Sequence, residues 1–221
     1  MPALVGWTPP DRGVLFVVSG PSGVGKSTLV KAAMTDIPGL RFSVSATTRS
    51  PRAGEKDGVD YHFLSRQGFE EKLAEGAFLE HATVYDKSYG TLAEPVREAI
   101  AAGRSLVLDI DVQGARQVRS KMGDAVLILV VPPDLGALEA RLRARATDDA
   151  DVVARRMEQV RDQLDAVGEY DYVLVNDDLA TAHRVFQGVL LAEMSRVGRR
   201  GSVADRVRTE LSRLREADPG A

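Results

Sequence analysis

Gly20-Pro21-Ser22-Gly23-Val24-Gly25-Lys26-Ser27 spells the pattern G-x-x-x-x-G-K-[ST] directly behind the apolar run Val14 to Val18. Strand, loop and helix in that order make a phosphate cradle. The glycines let the backbone curl until its N–H groups converge on phosphate oxygens, Lys26 reaches the β- and γ-phosphates, and the Ser27 hydroxyl is placed to ligate Mg²⁺. Thr28 continues into a helix whose positive N-terminal end adds to the attraction. A tight turn between strand and helix, the plainer reading, requires neither Lys26 nor Ser27.

The run Ser105 to Asp111 has the look of a second phosphate-site strand. An acidic residue at the end of such a strand, here Asp109, helps hold the metal or its waters, although Asp109 in isolation also suits a turn cap. Asp111-Val112-Gln113-Gly114 matches the D-x-x-G of GTPase switch loops, but no N-K-x-D element accompanies it, and Val175-Asn176-Asp177-Asp178 lacks the lysine. Arg49 and Arg52 bracket Pro51, which stiffens the turn between them. Two guanidinium groups so placed suit a second phosphate, by planar two-point hydrogen bonding, as a kinase requires for its acceptor; taken alone, such arginines are more often solvated loop charges than ligands.

Elements that position these groups alternate along the chain. Val14–Val18, Phe42–Ser45, Ser105–Ile110, Ala125–Val131 and Tyr172–Val175 are apolar and β-branched, as strands buried on both faces of a parallel sheet are. Helical patterns over Glu94–Ala102, Leu135–Arg145 and Leu179–Val197 lie between them. Two segments break the rhythm. One, about residues 47–90, is polar, with short strands at Tyr61–Leu64 and Phe78–Glu80 around a helix from Gln67 to Ala74, and reads as an insertion. The other, about Arg141 to Arg161, is a charged helix-turn-helix stretch rich in arginine.

A chain of 221 residues holds one globular unit with a small insertion. With 44% hydrophobic and 28% charged residues and a formal charge of −3, nothing in the composition proposes nucleic acid as a partner. No cysteine is present, which excludes disulfides and thiolate metal sites. No apolar run approaches the roughly 18 residues needed to cross a bilayer. Residues 1–12 show no charged-then-apolar signal pattern and are expected to form a disordered or loosely docked cytosolic lead-in. In residues 198–221, Ser202 is expected as a helix N-cap ahead of Val203, Val207, Leu211 and Leu214, a packing or self-association helix.

The ordered set of Ser-Gly-Pro-Ser-Gly-Val-Gly-Lys-Ser, Ser-Val-Ser-Ala-Thr-Thr-Arg-Ser-Pro-Arg, Asp-Gly-Val-Asp-Tyr-His-Phe, Leu-Asp-Ile-Asp-Val-Gln-Gly and Val-Asn-Asp-Asp resembles guanylate kinase. That family is the ATP:GMP phosphotransferase branch of the nucleoside monophosphate kinases, and the likeness runs over about residues 13–197. The resemblance implies an α/β fold: a three-layer P-loop sandwich with a mainly parallel core sheet, a mixed α+β GMP-binding insertion at 47–90 and a helical lid at 138–164. It implies ATP as donor, Mg²⁺ as its ion, GMP and dGMP as acceptors, and a place in purine nucleotide metabolism. Whether the protein is a monomer or a homo-oligomer is left open.

By position, the resemblance sets Ser45, Glu80, Thr91 and Asp111 at the guanine, and Arg49, Arg52, Tyr61 and Tyr89 at the GMP phosphate. Arg141, Arg145 and Arg156 correspond to the lid's phosphate-facing arginines, and Asn176 to a contact with the adenine of ATP. Ala146 stands where a glycine is common. Plainer readings are core packing for the two tyrosines and an edge-strand charge for Glu80. A carboxylate accepting two donor hydrogens suits guanine and mismatches adenine, and a buried site of that kind discriminates by a factor on the order of 10⁴. Two rivals stand beside the kinase: a non-catalytic guanylate-kinase-like scaffold, disfavoured by the intact Gly25-Lys26-Ser27, and a relative acting on a sugar phosphate, disfavoured by Ser45, Glu80 and Thr91.

Overall fold

The computed structural model describes residues 7–84, 86–144, 160–161 and 163–217, for 140–144 and 214–217 the backbone only. In chain order its strands are β1 (Leu15–Ser19), β2 (Leu40–Phe42), β3 (Ala46–Thr47), β4 (His62–Phe63), β5 (Phe78–Val84), β6 (Lys87–Leu92), β7 (Ser105–Asp109), β8 (Val126–Val131) and β9 (Tyr172–Val175). The helices used below are α1 (Lys26–Asp36), α2 (Arg66–Ala74), α3 (Ala93–Ala101), α4 (Val112–Lys121) and α5 (Leu135–Ala144), followed by Leu179–Met194 and Gly201–Ala217.

Every side chain of β1 is buried, so the strand needs neighbours on both edges and cover on both faces. Parallel pairing with β7 on one side and β8 on the other supplies the edges, within the order β2-β7-β1-β8-β9. Phe16 and Val18 face a core shared with Leu29, Ala33, Phe186 and Leu190, whereas Leu15 and Val17 face one shared with Val96, Ile100, Ala115 and Val118. The sheet is therefore sandwiched between α1 and the Leu179–Met194 helix on one face and α3 and α4 on the other. Ligands of such sheets bind beyond the carboxyl ends of the strands, where β1 and β7 deliver the loop at 20–25 and Asp109.

A second sheet, β4-β3-β6-β5, covers that end, with β3 and β4 parallel and the remaining pairs antiparallel. Its interior is small: Ala46, Phe69 and Phe78, the two rings stacked at 4.4 Å. The expected core strand over Phe42–Ser45 is corrected here. Pairing with β7 covers Leu40–Phe42, after which the chain crosses to the second sheet and resumes as β3, leaving Ser45 in the crossover. The expected strand at Phe78–Glu80 extends to Val84 as half of a hairpin with β6, a strand whose polar sequence Lys-Ser-Tyr-Gly-Thr-Leu concealed it.

The termini meet. Trp7 packs on the core, Arg200 stands 5.3 Å over its ring and donates to the Thr8 carbonyl at 2.6 Å. Ser202, expected as an N-cap, lies instead in the first turn of its helix. The cap is Asp11, which accepts from the Ser202 N–H at 2.9 Å and from its hydroxyl, bonds that hold the Asp11 carboxyl below the ordinary range. Beyond that tie, Val203, Val207 and Leu211 are exposed.

Candidate active site

The loop at 20–25 is held from below and open above. Val24 is fully buried, and Asn176, 5% exposed at the end of β9, donates Nδ2 to the Val24 carbonyl at 2.6 Å. Gly20 has φ 147°, and a Cβ there would stand 2.1 Å from the Val130 carbonyl oxygen. Gly25 starts α1 in the left-handed region at φ 99°, where a Cβ would meet Asn176 Nδ2 at 2.4 Å. Both positions therefore demand glycine twice over, by conformation and by space. No side chain caps α1, so its first N–H groups face the loop's mouth. Pro21, Ser22 and Gly23 complete the curl, with Val24 N–H on the Pro21 carbonyl at 3.3 Å and Thr28 N–H on Gly25 at 3.1 Å. Lys26 folds over it, donating to the Gly20 carbonyl at 2.6 Å and lying 3.7 Å from Asp109.

Asn176 thus supports the loop from beneath. Asn176→Ala leaves the buried Val24 carbonyl without this donor, a cost of about 1–3 kcal/mol. Expected is a lower Tm together with a higher KM for ATP, read by thermal melts and steady-state kinetics; an unchanged KM would confine Asn176 to stability.

Between the two sheets lies a cleft of about 320 Å³ that brings together Ser45, Tyr61, Glu80, Tyr89, Asp109 and Asp111. Asp60, the second acid of the Asp-Gly-Val-Asp-Tyr-His-Phe motif, lines it too. Glu80 is 6% exposed, and Thr91 on the paired strand, fully buried, donates to its Oε1 at 2.6 Å. Thr91 therefore stands behind the carboxylate and aims it. Burial pushes the Glu80 carboxyl above the ordinary carboxylate range, with Asp111 acting in the same direction and the Thr91 bond opposing. Asp111 also caps α4, accepting from the Gly114 N–H at 2.8 Å. The capping role considered for Asp109 thus falls to its neighbour two residues on.

Arg49 and Arg52 share the loop beside this cleft but differ in setting. Arg49 forms a two-point pair with Glu55 at 2.8 and 2.9 Å, and its guanidinium lies 5.2 Å from the Tyr61 ring and 5.8 Å from that of Phe63. Glu55 also accepts from the Arg52 N–H at 2.6 Å, so one carboxylate organises the turn; the pairing holds its pKa down and raises that of Arg49. Sequence reasoning did not assign Glu55 a role. Its signal was a lone carboxylate six residues beyond Arg49. The Arg52 side chain is exposed. Tyr61 and Tyr89 meet edge to face at 6.3 Å, with both lining the cleft.

Ser27 Oγ lies 3.4 Å from Asp109 Oδ2. Burial raises the Asp109 pKa, opposed by Lys26 and Ser27, so the desolvated carboxylate favours a cation beside it. Among the described residues no three His, Cys, Asp or Glu side chains form a metal cage. One hydroxyl and one carboxylate fit Mg²⁺ brought in on phosphate oxygens, since this ion keeps several waters and takes few protein ligands. Arg145 and Arg156 lie outside the described residues, as does the side chain of Arg141 on α5. At the two ends of this segment, Leu138 and Val160 are buried as a separate cluster. No helix among the described residues is long and apolar enough to cross a membrane.

Comparison with known proteins agrees with this geometry. The family profile described as guanylate kinase matches residues 12–193. A guanylate kinase of Symbiobacterium thermophilum is 47% identical over 191 residues, covering 86% of this chain and 90% of its own. One from Syntrophotalea carbinolica is 44% identical over 207 residues, 94% of this chain and 95% of that protein. The crystal structure of guanylate kinase from Anaplasma phagocytophilum superposes with a TM-score of 0.65 at 29% identity, covering 92% of this chain and 97% of the other. With a P-loop, a carboxylate-lined cleft that shares Asp109 with it and a family match over residues 12–193, this chain belongs to the guanylate kinase family.

Proposed function

We propose that the protein transfers the γ-phosphoryl group of ATP, carried with Mg²⁺, to GMP and dGMP, yielding ADP and the guanosine diphosphate. The observation that carries this reading is Asp109, which touches Lys26 and Ser27 of the phosphate loop and also lines the acceptor cleft. Two phosphate sites meeting at one carboxylate suit a direct transfer between nucleotides. The loop N–H groups and Lys26 hold the donor phosphates. Ser27 and Asp109 would hold the ion, which when bound would neutralise charge on the phosphate oxygens.

On the acceptor side, Tyr61, Tyr89, Arg49 and Arg52 take the GMP phosphate, with Glu55 presenting Arg49 in a fixed plane. Glu80, aimed by Thr91, accepts from N1–H and the exocyclic amine of guanine, while Ser45 and Asp111 complete the base site. Asn176 serves the loop. Arg141, Arg145 and Arg156 are assigned to the transferring group, where arginines contribute roughly 10³ to 10⁵ in rate. No side chain forms a covalent intermediate. Catalysis is alignment plus charge neutralisation in a site from which water is excluded.

ADP formation measured with GMP, dGMP, AMP, CMP or UMP as acceptor, against a control with none, tests the reading. Turnover confined to guanine nucleotides is expected. Silence with all five, or turnover equal in the control, overturns it.

A further inference from the structure

Strand β5, which carries Glu80, is the edge of its four-stranded sheet, so among the described residues one side of its backbone has no strand to pair with. Helix α4 takes that place. Gln117 Oε1 accepts from the His81 N–H at 3.1 Å and Gln117 Nε2 donates to the His81 carbonyl at 3.1 Å. A primary amide offers the same donor and acceptor as a peptide unit, and here it closes the edge as a neighbouring strand does. One turn on, Lys121 Nζ donates to the Phe78 carbonyl at 2.7 Å. The two side chains sit four residues apart on one face of the helix and clamp the strand on either side of Glu80.

At its other end α4 begins at the cleft, because its cap Asp111 lines it. Gly114 in its first turn comes close to the carboxylate: a Cβ there would lie 3.4 Å from Glu80 Oε2, and 3.1 Å from Ile110 Cδ1. One helix therefore shapes the space around Glu80 and grips the next residue of its strand by both backbone groups. We propose that Gln117 is a specificity-positioning residue, fixing the main chain at His81 so that the Glu80 carboxylate stands in the plane of the guanine edge. This rests on the reading of Glu80 as the guanine reader.

IMP isolates the effect, since its base is guanine without the exocyclic amine. For Gln117→Met, similar in length but unable to pair, the ratio of kcat/KM for GMP over IMP is expected to fall about tenfold. KM for GMP should rise, with kcat and KM for ATP little changed. Gln117→Glu keeps acceptance from His81 N–H and is expected to fall between, which also serves if the methionine variant does not fold. In a Glu80→Ala background, Gln117→Met should not lower the ratio further, because the two act as one unit. A lower Tm with the wild-type ratio and GMP KM in both Gln117 variants overturns the proposal and makes Gln117 structural. A further loss of equal size in the Glu80→Ala background overturns it too. A wild-type ratio in Glu80→Ala alone overturns the guanine reading itself, and the positioning role with it.

Discussion

Lys26→Ala is expected to lower kcat for ADP formation with GMP by at least about 10³-fold, the scale at which a cation placed on a transferring phosphoryl group contributes. Lys26 is the basic side chain of the loop itself, and its position is set from three sides: the Gly20 carbonyl at 2.6 Å, the Pro21 carbonyl at 3.3 Å and Asp109 at 3.7 Å. The ammonium therefore waits at the mouth of the curl, within reach of both the loop and the carboxylate that faces the acceptor cleft. Lys26→Arg should rescue little, because a planar guanidinium cannot occupy the compact position of an ammonium against two carbonyls. Single-turnover kinetics on folded variants, checked by far-UV circular dichroism, reads the loss at the chemical step. Turnover near the wild-type rate would remove Lys26 from the mechanism.

Glu80 carries the second large effect, with opposite consequences for function and for stability. Glu80→Ala is expected to remove most of the guanine preference, on the order of 10³-fold or more in relative kcat/KM, since a site built for buried hydrogen bonds rejects partners that leave them unmade. Its folded-state pKa lies above the ordinary 4.5. Folding thus favours the protonated form; that contribution is full below 4.5 and is lost as pH rises through the raised value. At neutral pH the ionised carboxylate costs the fold stability. Glu80→Gln, which keeps an oxygen for Thr91, should melt higher than wild type at neutral pH, and the difference should vanish below pH 4.5. Thermal melts across pH, set beside acceptor selectivity, check both halves. Equal melting of the two proteins at pH 7 would mean that burial exerts no such cost.

The central sheet and its sandwiching helices were legible because their signals are local. Apolar β-branched runs bounded by helical periodicity leave little choice of architecture. The second sheet was read less well. β6 is polar and only half-buried, and β3 and β4 are two residues each, so pairing with neighbours rather than propensity makes them strands. Ser202 illustrates the same limit: a serine ahead of an apolar stripe resembles a cap, yet the cap comes from Asp11, at a separation of 191 residues.

The sequence by itself determined the phosphate loop and the family, and nominated a cast of polar residues, because contiguous motifs encode backbone geometry that short-range sterics enforce. Tertiary structure alone decided how that cast divides its work. Thr91 turned out to stand behind Glu80, Glu55 to present Arg49, Asn176 to carry the loop, Asp111 to cap α4 and Gln117 to close the edge of β5. These pairings join residues on different elements, and a partner's identity depends on which strand or helix the packing brings within about 3 Å. No pattern along the chain records that distance; the fold sets it by burying two sheets and one shared helix against each other.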